Sequence, residues 1–175
     1  PPVNALELLG GEFSDSKVRL FAVKCLHDLR DHELKDYLLQ LVQALKYETY
    51  YNSALSKFLL IRGLANRAVV GQPFFWHLMA ECTSKNGHVT RYAMLIQAYL
   101  IGCGDHREEL LQQHHLVEQL KDIAQILKNV SPPERNTFLA AKLETLDLPS
   151  EFTIPLSATM RVTGIDIEKC RWLDS

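Results

Sequence analysis

The sequence predicts an all-α protein with a short strand-rich tail at its C-terminal end. Along most of the 175 residues, apolar side chains recur at steps of three and four, which places one apolar stripe on each predicted helix. From Leu148 the pattern changes: the stretch FTIPLSATMRVTGIDIEKCRWLDS is rich in Thr, Ile and Val and alternates between apolar and polar residues. This alternation indicates strands.

The second predicted helix carries the most informative pattern. Asp15, Val18, Arg19, Ala22 and Leu26 follow the order D-x-x-V-R-x-x-A-x-x-x-L, which resembles the second helix of a HEAT repeat. We expect Asp15 to accept a bond from a free backbone N–H at the helix start. Arg19 is flanked by apolar positions, so its guanidinium must reach a carboxylate or carbonyl in a neighbouring repeat. The pattern predicts a HEAT/armadillo-like right-handed array of antiparallel helix pairs, with Asp15 and Arg19 as inter-repeat contacts.

The first four helices are limited by capping residues and glycines. The first spans Val3 to Leu9 and ends at Gly10-Gly11, because glycine adopts the left-handed conformation at little cost. The second runs from about Asp15 to Leu29. Asp31 is predicted to cap the third helix, and Asn52 or Ser53 the fourth.

The fifth predicted helix contains a long apolar stretch. It begins at Asn66, and Pro73 either kinks it or marks its true first turn. Its stretch FFWHLMAEC is apolar on most faces, and an aromatic stripe of this kind is more often core than a cofactor pocket. We therefore place Phe75 and Trp76 in the core, together with Leu41 of the third helix.

Three further helices are predicted after the turn Lys85-Asn86-Gly87. The sixth is closed by Gly102 and Gly104, and the seventh spans about Asp105 to Val130. Its start, Asp105 to Glu109, is a solvated helix end or, as an alternative, a patch for docking a partner. Ser131 is predicted to cap the eighth helix in a capping box with Glu134, with Pro132 at the first position.

Composition excludes several classes of function. The chain has 19 basic and 21 acidic residues and a net charge of -2, which disfavours nucleic-acid binding through a basic surface. No apolar run approaches the roughly 18 residues that a membrane span needs, and the N-terminal PPVNALELL is not a signal peptide. The four cysteines form no C-x-x-C pair, so we expect free thiols and neither a zinc site nor a disulfide framework.

We assign no catalytic, cofactor-binding or metal-binding residue to the chain. His106, His114 and His115 lack the spacing and the acidic partner of a known metal motif, so a solvated helix face is the expected interpretation. Gly10-Gly11 and Gly102-Cys103-Gly104 are not followed by the residues of a phosphate-binding loop, so we interpret them as helix ends.

Three stretches together carry a resemblance to a known family. ALELLGGEFSDSKVRLFAVKCL, LKDYLLQLVQALKYETYYNSALSKFLLIRGLANR and FFWHL closely resemble the helical accessory (PIK) domain of a phosphoinositide 3-kinase. The resemblance is strong from about Ala5 to Leu78 and weaker from Arg91 to Leu127, and Gln40 to Glu48 is its most specific part. The tail GIDIEKCRWLDS resembles the first strands of the family's kinase domain.

The resemblance implies two segments: residues 1–147 as the helical accessory domain, and residues 148–175 as a linker and the start of the kinase N-lobe. It implies a parent that uses ATP and magnesium to phosphorylate the 3-hydroxyl of phosphatidylinositol lipids, in the cytoplasm and after recruitment to membranes. The phosphate-covering loop, lysine, catalytic loop and metal-binding aspartate of such a kinase have no counterpart here.

We therefore expect a non-catalytic scaffold that packs against kinase and lipid-binding domains and possible regulatory subunits, cut at the entrance to another domain. The alternative is a free-standing HEAT-like adaptor that binds protein partners. Such a solenoid should end in a polar capping helix, whereas this sequence ends in a strand-rich tail.

Overall fold

The protein is mostly helical, with one short antiparallel two-stranded sheet towards its C-terminus. The computed structural model describes residues 2–83 and 87–173, so Lys85 and Asn86 of the predicted turn lie outside the described residues. Within them the α-helices are α1 (Pro2–Glu7), α2 (Ser16–Leu26), α3 (Asp31–Ala44), α4 (Ala54–Ala65), α5 (Gln72–Thr83), α6 (Val89–Gly102), α7 (His106–Leu127) and α8 (Arg135–Glu144). The strands are β1 (Phe152–Ile154) and β2 (Ser157–Val162).

The chain divides into two compact units. The first comprises Pro1–Arg107 and Pro155–Ala158, and the second comprises Glu108–Ile154 and Thr159–Ser175. Each unit has its own buried residues.

In the first unit, helices pack against one another through their apolar stripes. Helix α1 packs on α2, α2 on α4, α3 on α5, and both α4 and α5 on α6. The stripes supply fully or almost fully buried side chains: Leu34, Leu38, Leu41, Leu55, Leu59, Phe74, Phe75, Leu78, Tyr92 and Tyr99. The core of this unit therefore follows from the 3.6-residue periodicity of the sequence.

The second unit has a smaller core. Ile123, Leu127 and Leu143 are buried, and the end of the chain packs against them through Ile165, Ile167, Cys170 and Trp172. The described residues from Gly164 to Leu173 contain a 3₁₀ turn (Ile167–Lys169) and no strand. The alternating pattern there does not give a strand, because its apolar residues pack on α7 and α8.

Two predicted helix starts differ from the structure. The N-cap of α3 is Arg30 and not Asp31, because the Glu33 carboxylate accepts from the Arg30 backbone N–H at 2.9 Å and binds its guanidinium at 2.8 Å. Ser131 does not cap α8: its hydroxyl bonds the Glu134 carboxylate, and α8 begins only at Arg135 after a 3₁₀ turn. The prolines at 132 and 133 have no N–H to offer a capping side chain.

A π-helical turn, Arg67–Gly71, precedes α5 and decides the role of Pro73. The Asn66 side chain accepts from the Val69 N–H at 3.1 Å, and the Asn66 carbonyl accepts from Gly71 N at 3.0 Å. Pro73 then lies in the first turn of α5, where its missing N–H is tolerated. Of the two alternatives for Pro73, the first-turn one is confirmed.

Gly71 permits a close approach between α4, the π turn and α6. A Cβ at this position would lie 2.0 Å from Tyr99 Oη and 2.6 Å from the Gly63 carbonyl oxygen. Because the second of these atoms is backbone, moving the tyrosine side chain alone cannot relieve the clash.

We predict that Gly71→Ala lowers the free energy of unfolding by about 3 kcal/mol through overpacking. The matched variant Gly164→Ala meets no atom within 4 Å and should stay within about 0.5 kcal/mol of wild type. Urea unfolding followed by circular dichroism measures both. Equal midpoints for the two variants would contradict this account of Gly71.

Candidate functional site

Arg19 of α2 lies inside the first unit, with 3% of its surface exposed. One terminal nitrogen, Nη1, donates to the carbonyl oxygens of Leu9, Gly10 and Phe13 at 3.0, 3.1 and 3.1 Å. These three carbonyls belong to the loop between α1 and α2. The side chain thus joins α2 to the segment that precedes it.

The other side of the same guanidinium binds the last residue of α3 and the segment that follows this helix. Nε donates to Glu48 Oε1 at 2.7 Å, Nη2 lies 2.6 Å from the same oxygen, and Nη2 also donates to the Ala44 carbonyl at 3.3 Å. Glu48 is itself buried, with 8% of its surface exposed. The charge of Arg19 is therefore balanced by a carboxylate inside the fold.

Asp15 lies at the start of the same helix and is exposed. Its Oδ1 accepts from the Lys17 N–H at 2.7 Å, in an extended backbone conformation typical of an N-cap. This bond stays within the helix start. The two residues singled out by the D-x-x-V-R pattern thus act at different places, one on the helix end and one in the interior.

A second arginine, Arg91 of α6, reaches the same loop from another direction. Its Nη2 donates to the Glu48 carbonyl at 2.6 Å, and its Nη1 donates to the Tyr50 carbonyl at 2.8 Å. The guanidinium also lies over the Tyr51 ring, 4.9 Å from the ring centre. The segment Glu48–Tyr51 leads into α4. Arg19 of α2 binds the Glu48 side chain of this segment, and Arg91 of α6 binds its backbone carbonyls.

A third arginine joins α4 to the start of α3. Arg62 Nε and Nη2 donate to Asp31 Oδ1 at 3.0 and 2.7 Å, and Nη2 also donates to the Leu29 carbonyl at 2.6 Å. Asn66 donates to Asp31 Oδ2 at 2.8 Å. The bonds from Arg62 and then Asn66 hold the pKa of the Asp31 carboxyl below its usual value.

The residues predicted for the core have different exposures. Leu41 and Phe75 are buried, with 0% and 2% of their surfaces exposed. Trp76 is partly exposed and makes an edge-to-face contact with Phe75, with ring centres 5.4 Å apart. Successive helix residues point about 100° apart, and Trp76 follows the buried pair Phe74 and Phe75 onto a side of α5 that is only partly covered.

The histidines do not share one environment. His106 is buried and shares a hydrogen bond of 3.0 Å with the Tyr99 hydroxyl, so its prediction as part of a solvated face is wrong. His114 is partly exposed, 3.9 Å from the Glu118 carboxylate, and His115 is exposed. Within the part of the chain that the structure describes, His, Cys, Asp and Glu form no group of three or more that could hold a metal ion.

Burial also raises the pKa values of two tyrosines and two thiols in or near α6. It raises the pKa of Tyr92 to about 12 and raises the pKa values of Tyr99, Cys82 and Cys103. A raised pKa keeps a thiol protonated near neutral pH and so makes it a poor nucleophile.

Among the described residues, no helix is long and apolar enough to cross a membrane.

Sequence reasoning missed Glu48, Arg62 and Arg91 as parts of this network. Glu48 ends the most specific stretch of the family resemblance, which was its only signal in the sequence. Arg62 and Arg91 lie on apolar helices whose other charged residues are few. Their carbonyl partners carry no residue-type signature, so the pairing could not be read from the sequence.

Comparison with known proteins shows that most of the chain matches a known family. A family model described as the phosphoinositide 3-kinase family accessory domain (PIK domain) matches residues 1–112. Because this match covers more than half of the chain, the chain belongs to that family. The three buried or partly buried arginines all lie in the matched part.

Similar proteins match along the whole chain. Phosphatidylinositol 3-kinase 2 of Dictyostelium discoideum is 39% identical over 175 residues, which is 99% of this chain and 9% of that protein. Phosphatidylinositol 3-kinases 1 and 3 of the same organism are 40% and 36% identical, again over 99% of this chain and over 11% and 10% of theirs. The chain thus spans about a tenth of the length of these relatives.

We predict that Arg19→Ala costs about 3–5 kcal/mol of unfolding free energy, because it leaves the Glu48 carboxylate buried without a counter-charge. Lys24→Ala, on an exposed position of the same helix, should stay within about 0.5 kcal/mol. Urea unfolding of both variants is the measurement. Similar losses for the two would show that the Arg19 contacts do not stabilise the fold.

A pH dependence follows from Asp31. Its pKa is lower in the folded chain than the roughly 3.9 of an unfolded aspartate, so its contribution to stability is complete above that value and is lost as the pH falls through the folded pKa. We predict that Asp31→Asn loses less stability than wild type between pH 5 and pH 2, as measured by urea unfolding at each pH.

Arg62→Ala removes the main partner of Asp31 and should weaken the same pH dependence. In the double variant Asp31→Asn/Arg62→Ala, the pH dependence of stability should equal that of the single variant in which it is weakened more. Full additivity of the two single effects would contradict the assignment of this pH dependence to one pair.

Proposed function

We propose that the chain is a non-catalytic helical scaffold domain of a phosphatidylinositol 3-kinase. The observation that carries the proposal is the match of residues 1–112 to the accessory domain of that family. The buried arginine contacts support it, because they fix the relative positions of α2, α3, α4 and α6 without any substrate or cofactor. A rigid helical unit of this kind can hold other modules at set distances.

The finer parts of the proposal concern the parent protein. In it, the chain packs against the kinase domain, lipid-binding domains and possible regulatory subunits. The parent transfers the γ-phosphate of ATP to the inositol 3-hydroxyl of phosphoinositides, uses magnesium, and is a cytoplasmic protein recruited to membranes. Residues 1–147 form the HEAT-like accessory domain with Asp15 and Arg19 at inter-repeat positions, and residues 148–175 lead into the kinase N-lobe.

The alternative of a free-standing adaptor is less well supported. The three similar proteins are all named as phosphatidylinositol 3-kinases, and each matches this chain over nearly its whole length. The match includes the strand-bearing tail as well as the helices. A scaffold inside a larger kinase accounts for both parts.

A chimera tests the scaffold function. The matching segment of phosphatidylinositol 3-kinase 1 of Dictyostelium discoideum is replaced by this chain, and ATP-dependent phosphorylation of phosphatidylinositol vesicles is measured. We expect the chimera to keep activity within about tenfold of the parent, and Lys24→Ala in the chimera to leave it unchanged. A folded chimera without activity would contradict the proposal.

The isolated chain should not bind nucleotide. A titration of the 175-residue chain with Mg-ATP, followed by calorimetry, should give no binding heat, because the proposal assigns all phosphate-binding groups to another domain. Binding in the micromolar range would contradict the assignment of the chain as non-catalytic.

A further inference from the structure

A groove between α4 and α6 of the first unit encloses about 190 Å³. Its walls include Leu60, Met94, Leu95 and Ala98, and its rim includes Tyr51 and Lys57. Met94 is a large apolar side chain with 48% of its surface exposed. The groove has room for one or two side chains and presents apolar surface at its opening.

The two helices that form the groove carry no acidic residue. Lys57 and Arg62 are the only ionised side chains of α4, and Arg91 is the only one of α6. The whole stretch from Thr49 to Gly104 has five basic residues and one acidic residue, whereas the complete chain has a net charge of -2. The ionised side chains that line the groove are Lys57 and Arg91, and both are basic.

Neither basic residue of the groove has a carboxylate partner in the part of the chain that the structure describes. The Arg91 guanidinium is 8% exposed and bonds only to two backbone carbonyls, while its Nε–H has no acceptor. Lys57 is exposed and makes no ion pair there. Arg19 and Arg62, by contrast, are each paired with a carboxylate inside the fold. A cation that is left without a carboxylate beside an apolar groove favours an acidic ligand.

We propose that this groove docks an acidic amphipathic helix of a partner protein. An apolar side chain of that helix enters between Leu60 and Met94, and its carboxylates lie beside Lys57 and Arg91. A groove of about 190 Å³ lined by Leu60, Met94, Leu95 and Ala98 fits an apolar anchor of a helix that carries such anchors at intervals of three and four residues. This docking function is additional to the scaffold function and does not depend on it.

The test uses the 175-residue chain and a fluorescein-labelled peptide of about 15 residues, built from Leu and Glu in helical register. Fluorescence anisotropy measures its dissociation constant, and a matched peptide with Gln in place of Glu tests the charge. We expect the Glu peptide to bind at least about tenfold more tightly than the Gln peptide, and the difference to shrink at high salt.

Variants locate the site. Lys57→Glu and Met94→Asp, both at exposed positions, should each weaken binding of the Glu peptide at least about tenfold. Lys24→Glu, at an exposed position of α2, should change it less than about twofold. Circular dichroism shows that each variant is folded. Equal binding of the two peptides, no binding of the Glu peptide, or binding unaffected by Lys57→Glu would each overturn the proposal.

A membrane surface is the competing ligand. Sedimentation with vesicles of phosphatidylserine and phosphatidylcholine separates the two possibilities. Vesicle binding that depends on Lys57 and Met94, together with failure of the Glu peptide to bind, would overturn the protein partner and assign the groove to an anionic bilayer.

Discussion

The buried pair between Arg19 and Glu48 is the contact on which most of the first unit depends. Two opposite charges are removed from water there, which is tolerated only where geometry and additional hydrogen bonds compensate for desolvation. Arg19 meets this condition with bonds to a carboxylate and to four backbone carbonyls. The α1–α2 loop, helix α2 and the end of α3 consequently have to keep one relative arrangement for the pair to remain satisfied.

Glu48 extends this constraint to α6 because its side chain and its backbone bind different arginines. Its carboxylate binds Arg19, and its carbonyl accepts from Arg91. Since Arg91 also binds the Tyr50 carbonyl and stacks on Tyr51, the loop before α4 has little freedom to move. Tyr51 and Arg91 both line the groove between α4 and α6. A binding surface whose walls are already fixed loses less conformational entropy when it is occupied.

The sequence predicts the helices well because burial of an apolar stripe is a local pattern. The cap at Ser53 follows from residue chemistry in the same way and is found. Asn66 caps the π-helical turn that precedes α5, and α5 itself begins at Gln72. Two of the errors arise where a residue of another helical element binds the side chain. Asp31 has the residue type of a cap, but Arg62 and Asn66 bind its carboxylate instead. His106 has the residue type of a solvated position, but Tyr99 lies across from it in the fold.

The two compact units differ in how their elements are joined. In the first, arginine contacts link elements that are 25 to 43 residues apart, and the family match ends at residue 112, close to the limit of this unit at Arg107. In the second, an apolar cluster around Ile123, Leu127 and Leu143 is accompanied by a buried hydrogen bond of 2.6 Å from Gln113 to Thr153. Near the end of the described residues, the Trp172 backbone N–H donates to Asn136 Oδ1 at 2.9 Å. A guanidinium has directional bonds and specifies one arrangement, whereas apolar contact tolerates small shifts. Buried arginine contacts therefore specify the relative positions of α2, α3, α4 and α6 within the part that matches the family.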